Sequence, residues 1–343
     1  MNNKILIDTI SGLFADDKGL LAMDESIPTC NKRFAKTDIP QNTETRRDWR
    51  ELLVTTPGLN DPIGGAILCD ETIHQNKRDG TPIIKTLIDE GIIPGIKVDK
   101  GAKFMSAHPG EKVTEGLDGL RGRLKEYFQM GARFAKWRAV ISIGESIPSR
   151  SCIEANANIL ALYASLCQEA GLVPIVEPEV LMDGAHDLHV CFTITEEVMR
   201  SVFAHLYLQK VMLEGIILKP NMVIPGLSCP KQASIDEVAD ATVKCLLQSV
   251  PAAVGAIAFL SGGQSPQDAS AHLNAMHTNF NNHLPWILSF SFARAIQQPA
   301  LEIWKGKDEN IEAAQSALLH RAKCDKAARQ GLYNAAMENP VLP

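Results

Sequence analysis

Short apolar runs recur along the chain, each closing on a glycine, a proline or a polar residue. They read GLLAMD (19–24), GGAILCD (64–70), IPGIKVD (93–99), FAKWRAVIS (134–142), VPIVEPEV (173–180), GIILKPNMV (215–223), VGAIAFLSGG (254–263) and LPWILSFSF (284–292). Runs this short and this rich in Ile, Val and Leu suit strands buried on both faces. The gaps between the eight runs carry helix signals. Ser151 with Glu154 predicts a capping box, followed by Ile159, Leu160, Tyr163, Leu166 and Cys167 and stopped at Gly171. Ser234 with Glu237 repeats the device. Ser265 before Pro266 and Asp268 reads as an N-cap with a first-turn proline and acid. Thr193 with Glu196 opens an apolar stretch towards Leu213, and an Ala-rich helix is predicted from about Ile311 to Gly331.

Strand and helix alternating eight times predict a parallel (β/α)8 TIM barrel, an α/β fold, as one domain over residues 1–343 with a short C-terminal tail. The rival is a doubly wound open sheet. Its dinucleotide-binding form carries G-x-G-x-x-G after the first strand, which this chain lacks.

Composition narrows the function. The 34 Lys and Arg against 40 Asp and Glu give a net charge of −6, which argues against a nucleic-acid partner. No apolar run approaches the ~18 residues of a membrane span. The start, MNNKILIDTISGLF, lacks the pattern of a signal peptide. A soluble, cytoplasmic protein is expected. The eight cysteines form no C-x-x-C pair, so they are read as buried free thiols rather than zinc ligands or disulfides.

Candidate chemistry lies inside the apolar runs themselves: Asp24, Lys97 and Asp99, Lys136 and Arg138, Glu177 and Glu179, and Lys219. Period-two spacing puts Lys136 and Arg138 on one strand face, and Glu177 and Glu179 on another. Charges inside a barrel cost several kcal/mol each unless paired or solvated. A salt-bridge layer that merely fills the barrel is the bland alternative, but charges on five strands make a site the better reading. Several cations around one cavity of an acidic protein imply an anionic small molecule. The turn Ser261, Gly262, Gly263 after the seventh strand adds backbone N–H groups where such barrels often hold phosphate. A lysine at a strand end, desolvated and near other cations, is also a candidate amine nucleophile. Together these features point to a Schiff-base lyase or isomerase acting on a phosphorylated carbonyl compound. They leave Lys97, Lys136 and Lys219 equal.

The segments LLAMDES, GIKVDKG, FAKWR, PIVEPEVLMDG, LEGIILKPNMVIPG and LSGGQS, in this order, resemble the class I fructose-1,6-bisphosphate aldolase family from about Gly19 to Tyr333. The resemblance implies glycolytic, metal-independent cleavage of fructose 1,6-bisphosphate with no cofactor, and a homotetramer whose ligands are phosphorylated ketoses and triose phosphates. It makes Lys219 the Schiff-base lysine and Glu177 the acid and base, with Asp24 and Lys136 assisting proton transfer. Ser261, Gly262, Gly263, Ser291 and Arg294 would hold one phosphate. Ser26, Lys97 and Arg138 would face the other, with Arg33 nearby, and Glu179 would back the lysines.

Three departures stand out. Pro28 and Thr29 occupy positions where the family commonly has Gly and Ser, Ala293 stands where Gly often precedes the arginine, and the chain ends NAAMENPVLP without a terminal tyrosine. Enamine protonation is then left to water, Glu177 or Tyr333, with Tyr333 expected to serve mainly as an anchor on the last helix. Rival readings are a metal-dependent aldolase using Asp183, His186, Asp187 and His189, another Schiff-base sugar-phosphate lyase, and a binding scaffold without turnover.

Overall fold

A computed structural model describes residues 3–280 and 283–339. The eight apolar runs become β1 (Gly19–Ala22), β2 (Ile63–Leu68), β3 (Ile93–Lys97), β4 (Phe134–Ile141), β5 (Val173–Val180), β6 (Ile217–Leu218), β7 (Ala256–Phe259) and β8 (Leu288–Phe292). All neighbours pair in parallel, and β8 returns to β1 to close the barrel. The predicted (β/α)8 fold is the observed one. An antiparallel hairpin, Ala102–Phe104 with Lys112–Thr114, is inserted between β3 and β4.

β6 is shorter than its apolar run because Pro220 has no N–H to continue the ladder. Lys219 N still donates to Val176 O at 2.8 Å, and Pro220 O accepts from Leu260 N at 3.1 Å. The Asn221 side chain then takes over, accepting from Val180 N at 3.0 Å.

Two of the helix starts differ from expectation. The helix expected to open at Ser151 runs from Arg150 to Glu169, and its N-cap is Ser149, whose Oγ accepts from Cys152 N at 3.2 Å. Glu111 fixes Ser149 by accepting from both its N and its Oγ at 2.6 Å, while Glu154 pairs with His205 at 2.8 Å. Tertiary partners displace the local box. The helix expected to open at Thr193 spans Leu188–Leu208, capped by Asp187, whose carboxylate accepts from Val190 N at 2.9 Å. Ser234 and Glu237 do form a reciprocal capping box, and Ser265 Oγ accepts from Asp268 N at 3.0 Å.

The first helix, Asn3–Phe14, closes the floor of the barrel. Its Leu6, Ile10, Leu13 and Phe14 pack with Leu20, Ala22, Ile67, Phe134, Val173, Ile175, Ile217, Ala256 and Ala258 in one apolar cluster. The approach is so close that a Cβ on Gly64 would lie 2.0 Å from the Leu13 carbonyl oxygen, so the strand must be bare there. The eight thiols are free; six are buried, and Cys69 and Cys229 are half-buried. No helix among the described residues is long and apolar enough to cross a membrane.

Candidate active site

Inward-facing positions alternate along each strand, and their character changes with height. Up β4 the sequence is Phe134, Lys136, Arg138; up β5 it is Val173, Ile175, Glu177, Glu179; β6 carries Ile217 and then Lys219. The lower members belong to the apolar floor. The upper members line a cleft of about 1100 Å³ at the carboxyl ends of the strands, together with Asp24, Lys97, Asp99 and the 261–264 turn. Ten lining residues are Lys or Arg and five are Asp or Glu, an excess of positive charge inside a protein of net charge −6.

At its base Lys136 Nζ lies 3.0 Å from Asp24 Oδ2 and 2.8 Å from Glu177 Oε2. Lys219 Nζ has a looser neighbour, Glu177 Oε1 at 3.4 Å. All four residues are buried. Burial raises the pKa of Asp24, but Lys136, Lys219 and Lys97 outweigh it and hold the carboxyl at about 2. Glu177 is likewise held down against burial by Lys136, Lys219 and Arg138. Burial disfavours the Lys136 ammonium, yet Asp24 and Glu177 push its pKa well above the ordinary lysine range. Lys219 moves the other way: burial lowers it, Glu177 only partly offsets that, and Lys136 lowers it further. Lys97 donates to the Asp99 carboxylate and, at 3.1 Å, to the Asp99 carbonyl. The three lysines left equal by the sequence are thus distinct in their surroundings.

Glu179 departs from expectation. It pairs with Arg138, not with a lysine, because both sit one layer above Lys136 and Glu177. Arg33 lines the cleft but also donates to Glu25, which binds Arg50 at 2.8 Å as well. Ser26 Oγ and Thr29 Oγ1 lie 3.0 Å apart at the start of the Ile27–Ala35 helix, so the departure at Pro28 and Thr29 still places two hydroxyls in the cleft. Ala293 has φ −108°, a conformation that does not require glycine.

On the opposite wall, Gly262 and Gly263 take φ of +50° and +77°, and Gln264 N donates back to Ser261 O at 3.0 Å. A two-residue turn with both central φ positive is open to glycine at little cost. Ser291 Oγ is buried without a partner among the described residues, and a methyl built on Gly263 would sit 3.6 Å from Arg294 Nη2. Backbone, hydroxyl and guanidinium donors therefore gather at one wall, as an anion requires.

Glu25 with its shared carboxylate, the buried Arg50 and the strand-extending Asn221 were not among the expected site residues. Glu25 lies within the LLAMDES segment and Asn221 within LEGIILKPNMVIPG; Arg50 carries no local signal of its role. Asp183, His186, Asp187 and His189 do not line the cleft, and Asp187 is committed to its helix cap. Among the described residues no three of His, Cys, Asp and Glu gather as a metal-holding group. Tyr333 donates to Glu338 Oε1 at 2.7 Å and packs against the core, outside the cleft; residues 340–343 of the expected tail lie outside the described residues.

Fold and cleft together define a (β/α)8-barrel protein with a cationic strand-end site for an anionic small molecule. The family model for fructose-bisphosphate aldolase class-I matches residues 5–341. A probable fructose-bisphosphate aldolase class 1 of Xanthomonas campestris is 56% identical over 334 residues, covering 97% of this chain and 99% of that protein. A cytosolic fructose-bisphosphate aldolase of Arabidopsis thaliana is 50% identical over 92% of this chain and 88% of its own length. Fructose-bisphosphate aldolase from Plasmodium falciparum, solved in a ternary complex with TRAP and a small-molecule inhibitor, superposes with a TM-score of 0.94 at 44% identity, covering 97% of this chain and 96% of that one. The chain belongs to the class I fructose-bisphosphate aldolases, which are lyases.

Proposed function

We propose that the protein cleaves fructose 1,6-bisphosphate reversibly to dihydroxyacetone phosphate and glyceraldehyde 3-phosphate through a Schiff base on Lys219. The observation that carries this reading is the contrast between the lysines. Lys136 is locked as an ammonium between two carboxylates and Lys97 is bound to Asp99, whereas burial and Lys136 shift the Lys219 amine towards the neutral, nucleophilic form.

The Lys219 ammonium passes a proton to Glu177, 3.4 Å away, and the neutral amine adds to the C2 carbonyl; Glu177 then gives that proton to the departing hydroxyl, so that water leaves and a cationic imine forms. Glu177 then takes the proton of the C4 hydroxyl. The C3–C4 bond breaks, its electron pair passes into the imine as an enamine, and the aldehyde departs. Protonation at C3 and addition of water release the ketone and restore the amine. Lys136 stays charged throughout, stabilising the carboxylates of Asp24 and Glu177. Ser261, Gly262, Gly263, Ser291 and Arg294 hold one phosphate. Ser26, Lys97, Arg138 and Arg33 face the other. The resemblance further carries assembly as a homotetramer and residence in the cytoplasm, and sedimentation checks the assembly.

Reduction with borohydride in the presence of fructose 1,6-bisphosphate, followed by peptide mapping, tests the mechanism. A triose phosphate adduct on Lys219 is expected. A label on Lys97 or Lys136 moves the nucleophile, and the lack of any adduct removes the Schiff base.

A further inference from the structure

The 261–264 turn is held from behind by a residue that the mechanism does not use. Gln264 Nε2 donates to Ser261 O at 2.9 Å, adding to the bond from its own backbone N to the same carbonyl. A carbonyl only accepts, so the amide must point its nitrogen there and its oxygen the other way. That oxygen lies 2.5 Å from His272 Nδ1, on the Pro266–Phe280 helix. Since Gln264 Oε1 only accepts, the proton of His272 must sit on Nδ1. Burial holds this histidine at about 4 against the pull of Asp268, so its ring is neutral at pH 7 and that proton has one fixed place. The chain of contacts runs from a rigid helix through two side chains to the carbonyl that shapes the turn. The two central residues of the turn, Gly262 and Gly263, have no side chains that could do this.

We propose that His272 is a positioning residue for the phosphate-holding turn, acting through Gln264. The proposal rests on the phosphate role assigned to that turn above. Loss of the donor leaves the turn free to relax, which weakens the phosphate contact without altering the chemistry at Lys219.

The test measures kcat and KM of His272→Ala with fructose 1,6-bisphosphate and with fructose 1-phosphate and fructose 6-phosphate. It also measures the Kd of inorganic phosphate by calorimetry. One hydrogen bond of this kind predicts a rise of about 3- to 10-fold in the KM of the bisphosphate and of only one monophosphate, with kcat nearly unchanged. Inorganic phosphate should weaken by a similar factor. His272→Asn, which keeps an N–H donor near the Nδ1 position, should restore the original values. Gln264→Met should mimic the loss, and the double variant should be no worse than either single one. Equal losses with both monophosphates, a fall in kcat alone, or no recovery in the Asn variant overturns the proposal. Should the unaltered protein bind phosphate but cleave no ketose phosphate, the proposed activity fails, and the phosphate Kd of the variants still decides the role of His272.

Discussion

The two ends of the barrel are built from the same strands and the same period-two alternation, yet they have opposite chemistry. At the floor the inward positions are Leu20, Ala22, Phe134, Val173, Ile175 and Ile217, sealed by Leu6, Ile10, Leu13 and Phe14 of the first helix. One or two positions further up the same strands stand Asp24, Lys136, Arg138, Glu177, Glu179 and Lys219. Buried hydrophobic surface stabilises by about 25 cal/mol per Å², whereas buried charges cost several kcal/mol unless paired. The floor therefore supplies stability while the upper layers consume some of it. The two are also coupled: the apolar floor beneath Lys219 is part of what desolvates its amine and lowers its pKa. In the proposed mechanism, activation of Lys219 is a consequence of where the apolar layer ends.

The sharpest way to break this contrast is to extend the floor by one residue. Lys219→Met keeps the length and removes the amine, so cleavage should fall at least about 1000-fold, because no neighbouring group replaces a covalent electron sink. The thermal midpoint should rise. A lysine whose folded pKa is lowered is penalised as an ammonium at every pH below its unfolded value, and the substitution removes that penalty. A lower midpoint in calorimetry would show that the charge is not held at a cost.

The opposite change weakens the floor and spares the site. Leu13 is wholly buried between the first helix and the barrel, so Leu13→Ala should cost about 2–5 kcal/mol in denaturant unfolding. The kcat of the folded fraction should change little. A large fall in kcat would mean that the floor tunes Lys219 more tightly than proposed.

The strands were legible because apolar runs of strand length cannot be hidden by local chemistry, and the charges within them marked the upper layers. The floor was not. The helix carrying Leu6, Ile10 and Leu13 has an apolar stripe at helical spacing, but only packing against Gly64 and Gly65 shows that it closes a barrel. Glu179 was misplaced for a related reason. The resemblance made it a partner of the lysines, but one layer separates a partner of lysine from a partner of Arg138. Capping motifs held where no tertiary partner competed, as at Ser234, and failed at Ser151, where Glu154 is engaged by His205.

Higher up, where the cleft meets water, a substitution should affect binding more than chemistry. Arg294 is exposed, lines the cleft, and has no ion-pair partner among the described residues. A charge-assisted phosphate contact contributes roughly 1.5–3 kcal/mol, so Arg294→Ala should weaken substrate binding about 10- to 150-fold. The loss should be much smaller for a monophosphate lacking the phosphate at that end. Equal losses with both substrates would give the arginine another role.

The smallest effect is expected at the boundary between the two regions, where Asp24 stands two residues above Ala22 of the floor. Its carboxyl is held at about 2, against an ordinary value of 3.8. A carboxyl whose folded pKa is lowered adds stability that is fully present above the unfolded value and is lost as pH falls through the folded one. The window is therefore about pH 4 down to about pH 2. The difference in pKa corresponds to about 2 kcal/mol, which Asp24→Asn cannot gain or lose by titration. Lys136 stays charged across this window in both proteins, so its own titration does not enter the difference. Unfolding free energies measured from pH 5 to pH 2 should fall more steeply in the unaltered protein than in the variant, by about that amount in total. Parallel curves would mean that Asp24 gains nothing from Lys136 and its neighbours. The ion pair at 3.0 Å would then belong to the architecture of the cleft and not to the energy that holds its charges above the floor.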